Sequence, residues 1–137
     1  MRLIKNFSIF LTWLLIIFYL SFAPLRNWPQ EDIFQKLYID KLVHITMYSL
    51  LSFFLLIGFF RQQKNQPLRY RKVAGCIIFC IIVGVSIEFL QPVLTMYRKF
   101  EFMDMVANAL GSIAGLYLFK SVLNKKWIGL GVKPADH

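Results

Sequence analysis

Apolar residues fill four long stretches of this chain, and polar residues gather between them. Residues 7–23, 42–60, 73–96 and 105–123 are each near the length of about 20 predominantly apolar residues that a helix needs to cross a bilayer. The fourth stretch is the most mixed, with Asn108, Lys120 and several small residues, a composition that a helix packed inside a bundle tolerates. The pattern predicts an all-α polytopic membrane protein. It is a four-transmembrane-helix bundle forming one domain over residues 1–123, followed by a polar, loosely ordered tail over 124–137. Arg2 and Lys5 ahead of the first stretch, with Ser21-Phe22-Ala23 at its end, also suit a signal peptide. Pro24 and an apolar core longer than the 7–15 residues of a signal sequence favour a retained helix instead.

The polar residues inside these stretches are periodic. Asp40, His44 and Tyr48 recur every four residues, which puts them on one face of the second helix. With a rise of 1.5 Å per residue, His44 lies about 6 Å and Tyr48 about 12 Å along the helix from Asp40. The fourth helix repeats the layout with Asp104, then Asn108 one turn deeper, then Gly111 and Gly115. Ala107, Gly111 and Gly115 form a small-residue stripe that permits close helix approach. The third helix brings Glu88 and Gln91 to the same end. A charge near the middle of a membrane helix costs a few kcal/mol unless it is compensated, so Glu88 requires partners. His44, Tyr48, Asn108 and Arg98 are the expected ones. Pro92 cannot donate to the carbonyl of residue 88, and the helix either stops there or runs on to Met96.

Charge then orients the chain. Lys and Arg number eleven on one side: Arg2 and Lys5, then Arg61, Lys64, Arg69, Arg71 and Lys72, then Lys120, Lys125, Lys126 and Lys133. The other side has five, namely Arg26, Lys36, Lys41, Arg98 and Lys99. Basic residues stay cytoplasmic, so both termini are expected inside and the polar layer is expected to face outward. This distribution also accounts for the net charge of +9 without invoking nucleic acid, since anionic headgroups and topology explain basic inner loops. The lipid bilayer is the expected partner. The composition, 58% hydrophobic and 17% aromatic, leaves no room for a soluble domain.

Asp40-Lys41-x-x-His44-x-x-x-Tyr48, then Glu88-x-x-Gln91, then Arg98-x-Phe100-Glu101-x-x-Asp104-x-x-x-Asn108-x-x-Gly111-x-x-x-Gly115, resembles the VanZ-like family of small bacterial membrane proteins. The resemblance covers roughly residues 38–120. It implies a four-helix protein of the bacterial cytoplasmic membrane, acting in the cell envelope. The family's polar positions fall here on Asp40, Lys41, His44, Tyr48, Glu88, Gln91, Arg98, Asp104 and Asn108. The founding member is associated with low-level resistance to the glycopeptide teicoplanin, an association that carries no molecular mechanism.

Each feature has a chemical and a structural reading. Glu88 and His44 form a candidate general acid/base pair, because burial and a carboxylate neighbour bring both groups towards neutral pH. The same pair equally serves as an interhelical contact that fixes packing. Lys41, Arg98 and Lys99 at the rim suit the phosphate of a lipid-linked or cell-wall-related ligand; alternatively, Arg98 pairs with Glu101 or Asp104. Tyr48, Gln91, Asp104 and Asn108 complete the candidate binding set. Asp40, His44, Glu88 and Asp104 include metal-ligating types, but one histidine and no local motif such as H-E-x-x-H assign no metal and no cofactor. Cys76 and Cys80 read as small apolar groups. A transport path is disfavoured by the apolar inner half of the helices, and Trp28 and Trp127 read as interfacial anchors.

Overall fold

The computed structural model describes residues 2–23, 33–64, 66–95, 99–123 and 128–129. Arg98, Trp28, Trp127 and most of the tail lie outside the described residues. Helices α1 (Arg2–Phe22), α2 (Ile33–Gln62), α3 (Tyr70–Leu94) and α4 (Phe102–Leu123) are accompanied by two short strands, β1 (Leu68–Arg69) and β2 (Ile128–Gly129). All four helices are long and apolar enough to cross a membrane, and the chain is a multi-pass, all-α membrane protein.

The helices outrun the apolar windows. α1 begins at Arg2 and α2 at Ile33, because hydropathy marks only the part of a helix that lipid must cover while helical hydrogen bonding continues through polar turns. α3 passes Pro92 and ends at Leu94, two residues short of Met96. The proline sits in the last turn, where few hydrogen bonds remain to be lost, and the Thr95 N–H and hydroxyl both donate to the Gln91 carbonyl, at 2.8 and 2.7 Å. The tail, read from its sequence as loosely ordered, contributes a strand: Leu68 pairs with Ile128 and Arg69 with Gly129 in parallel.

α1 runs antiparallel to α2. Asn6 Nδ2 donates to Gln62 Oε1 at 2.8 Å, Phe7 packs edge-on against Phe59, and Trp13 Nε1 donates to the Met47 carbonyl at 2.9 Å. Near the other end of α1, the Ser21 carbonyl accepts from Gln91 Nε2 of α3 at 3.2 Å. The tryptophan N–H and glutamine amide thus find backbone acceptors where lipid offers none. Ile17, Leu51, Leu56, Leu68 and Phe119 are fully buried in the apolar core. Leu15, Tyr19, Ile82, Val93 and Tyr117 are exposed on the surface that lipid would cover.

α2 and α4 run parallel and make the closest approach. A Cβ on Gly111 would stand 2.5 Å from the Ile45 carbonyl oxygen, and one on Gly115 would collide with Ser52 Oγ and the Ser49 carbonyl. Ser52 Oγ instead donates to the Ser112 carbonyl at 2.8 Å, a bond across the interface that only backbone proximity allows. Gly84 of α3 meets the pair at Asn108 and Tyr48. Replacing Gly111 or Gly115 by Ala forces the helices apart and is expected to cost on the order of 1–3 kcal/mol, the usual penalty of overpacking. At Gly75 an added Cβ would meet nothing within 4 Å, so this position should accept Ala without loss. Folded yield by gel filtration in detergent distinguishes these outcomes.

Candidate functional site

The N-terminal halves of α2 and α4 begin at the same end of the bundle, and α3 ends there. Four-residue spacing on α2 therefore faces four-residue spacing on α4, level by level. Lys41 and Asp104 meet first, His44 and Asn108 one turn deeper, and Ser52 and Ser112 deeper still. Asp104 lies in the first turn of α4, where the helix dipole favours a negative charge.

Lys41 organises the rim. Its ammonium group contacts Asp104 Oδ1, lies 2.7 Å from Glu101 Oε2 and 3.7 Å from Asp40 Oδ2. The sequence offers Lys41, Arg98 and Lys99 to an anionic ligand or, alternatively, pairs Arg98 with Glu101 or Asp104; in the fold Lys41 contacts both of these acids, and Arg98 lies outside the described residues. Lys99 is exposed on the loop before α4.

His44 lies beneath this layer. Its Nδ1 is 2.8 Å from Asn108 Oδ1 and 3.8 Å from Glu88 Oε1, while Nε2 is 4.0 Å from Asp40 Oδ1 and 3.9 Å from Asp104 Oδ2. An amide oxygen only accepts, so with Asn108 in this orientation Nδ1 carries a proton and donates to it, while Nε2 faces the two aspartates. Spacing suggests Asn108 as a partner of Glu88; in the fold its carbonyl oxygen accepts from His44.

Glu88 is wholly buried at the floor, and Asn108 and Tyr48 both flank Gly84, one turn before it. The Tyr48 hydroxyl and Asn108 Nδ2 are buried with no hydrogen-bond partner among the described residues. Two further positions belong to this layer although sequence pattern does not single them out. Gly84 makes room for Tyr48 and Asn108, and Ser112 donates to the Asn108 carbonyl at 2.8 Å. Gly84 has a legible signal: Cys76, Cys80, Gly84 and Glu88 form a buried stripe of four-residue spacing on α3. Gln91 turns to α1 through Ser21, so it braces the bundle at the edge of the layer.

Exposure differs widely across the cluster. The side chains of Glu101 and Asp40 are 48% and 39% exposed, Lys41 18%, His44 9%, Asp104 6% and Glu88 0%. A proton or ligand arriving at the rim thus meets ionisable groups at successive depths down to Glu88. This arrangement can exchange protons between His44 and Glu88 and can attract a cation to the aspartates. Asn108→Ala removes the acceptor of a buried N–H and is expected to destabilise the fold by about 1–3 kcal/mol. Thermal unfolding of detergent-solubilised protein measures this.

The VanZ/LLP1 family profile matches residues 2–124. An uncharacterized protein of the fission yeast Schizosaccharomyces pombe is 32% identical over 117 residues, covering 83% of this chain. The chain spans 62% of the length of that relative. No solved structure matches.

Proposed function

The chain belongs to the VanZ/LLP1 family, and from that premise we propose that it binds the anionic headgroup of a lipid or lipid-linked molecule at the polar end of its bundle. In this reading both termini lie in the cytoplasm of a bacterium and the polar end faces outward, in the cell envelope. The bound molecule is a cell-wall-related lipid, through which the protein alters susceptibility to teicoplanin. Glu88 and His44 act as the acid and base on it. The observation that carries the reading is the graded cluster itself. A fully buried carboxylate lies 3.8 Å from a histidine, beneath a group of partly exposed charges at one end of the bundle. Ionisable groups at such depth are costly, and chemistry or binding is their usual return. The exposed Lys99 and neighbouring Arg98 supply the positive charge for the headgroup, since Lys41 is occupied by acids.

A structural reading has its own support. Ser52 with Ser112, and His44 with Asn108, are interhelical bonds of the kind that hold helices together without chemistry. The two readings part at Glu88. Glu88→Gln keeps shape and removes charge, so the binding or catalytic reading expects normal folded yield by gel filtration with loss of teicoplanin protection in the same cells. Parallel loss of yield and protection assigns the layer to packing. A reporter joined after Leu123 should be active only as a cytoplasmic fusion; activity on the far side would reverse the orientation.

A further inference from the structure

We propose that Asp40, His44 and Asp104 form a binding site for a divalent metal cation of the zinc or manganese class. The two aspartates divide their oxygens in the same way. Asp40 Oδ2 and Asp104 Oδ1 turn to Lys41, and Asp40 Oδ1 and Asp104 Oδ2 turn to His44 Nε2. The oxygens facing the imidazole are therefore the ones the lysine does not hold. One ligand atom from each residue lies within 4.8 Å of the other two.

The distances suit an ion better than direct hydrogen bonds. At 3.9 and 4.0 Å, the aspartate oxygens are beyond hydrogen-bond range of Nε2. Atoms placed about 2.0–2.2 Å from a shared tetrahedral metal stand about 3.3–3.6 Å apart, so the three draw together by some tenths of an ångström or more around one centre. Asn108 supplies the second observation, from outside the ligand set. By accepting from Nδ1 at 2.8 Å it fixes the ring so that Nε2 points to the aspartates, the role that outer carbonyls play for metal-binding histidines.

Ligand type and access agree. Asp40, Glu101 and Asp104 gather about the one lysine among them, with Glu88 beneath, a set rich in oxygen ligands. Asp40 opens to the rim while His44 and Asp104 are nearly buried, giving an entry path to a partly desolvated centre. One imidazole with two carboxylates suits zinc or manganese, whereas calcium and magnesium prefer oxygen ligands alone. The metal set shares His44 with the acid/base reading above, and the titration below tests it without any lipid ligand.

The full chain, purified in detergent, is titrated with Zn²⁺ and separately with Mn²⁺ by calorimetry, and bound metal is counted by elemental analysis after dialysis. A single ion per chain is expected for at least one of the two metals. Asp40→Asn should weaken its binding by at least about tenfold, the lower end of what loss of even an outer partner costs. Glu101→Gln, which removes a comparably exposed charge that does not face His44, should leave the affinity essentially unchanged. Both changes lie at the rim, where folding tolerates them, and helical circular dichroism verifies this. Absence of stoichiometric binding of either metal overturns the proposal. So does equal weakening by the two variants, which marks an unspecific acidic patch.

Discussion

The structure depends on how closely α2 and α4 approach. In lipid, apolar burial does not drive helices together, so van der Waals contact and interhelical hydrogen bonds must. Gly111 and Gly115 remove the side chains that would hold α4 away from the backbone of Ile45, Ser49 and Ser52. At that separation Ser52 reaches the Ser112 carbonyl and His44 reaches Asn108. Because the two helices run parallel and start at one end, their polar residues meet in matched layers. A wider spacing would leave buried polar groups in hydrocarbon without partners, at a cost of several kcal/mol each.

Electrostatics follows from that geometry. Lys41 bridges acids contributed by α2, α4 and the segment just before α4, and so ties the entry of two helices together at the rim. Beneath it lie His44 and the buried acid Glu88, while exposure falls from Asp40 and Glu101 to Glu88. Positive charge in quantity is found at the opposite end of the bundle, where Arg61, Lys64, Arg69, Arg71 and Lys72 are exposed. The molecule is thus polarised along its helices, with a basic end and an end whose buried part is acidic.

Membership of the VanZ/LLP1 family places this arrangement in a group whose match here extends over all four helices. Fold alone does not assign chemistry, and function has to be read from the cluster. Packing explains Ser52, Ser112, Gly111 and Gly115 completely. It explains Glu88 less well, since an apolar or amide side chain would fill the same place without the desolvation of a carboxylate. That difference is why the acid, rather than the layer as a whole, separates a working site from an interhelical contact.

Four apolar stretches of membrane-spanning length determined the class and helix number, because hydropathy is a local property and a span must satisfy its backbone internally. Four-residue spacing likewise determined that Asp40, His44 and Tyr48 share a face, and that Asp104, Asn108, Gly111 and Gly115 share another. Helix geometry fixes such faces without reference to neighbours. Partner choice was another matter. His44 bonds Asn108 as well as standing 3.8 Å from Glu88, Lys41 takes Glu101 and Asp104, and Gln91 reaches across to Ser21. Even the passage of α3 beyond Pro92 depended on Thr95 closing its last turn. The rotation and depth of one helix against the next decide these pairings. They are set jointly by side chains far apart in sequence, so only the assembled bundle could turn His44 Nε2 towards two aspartates from different helices.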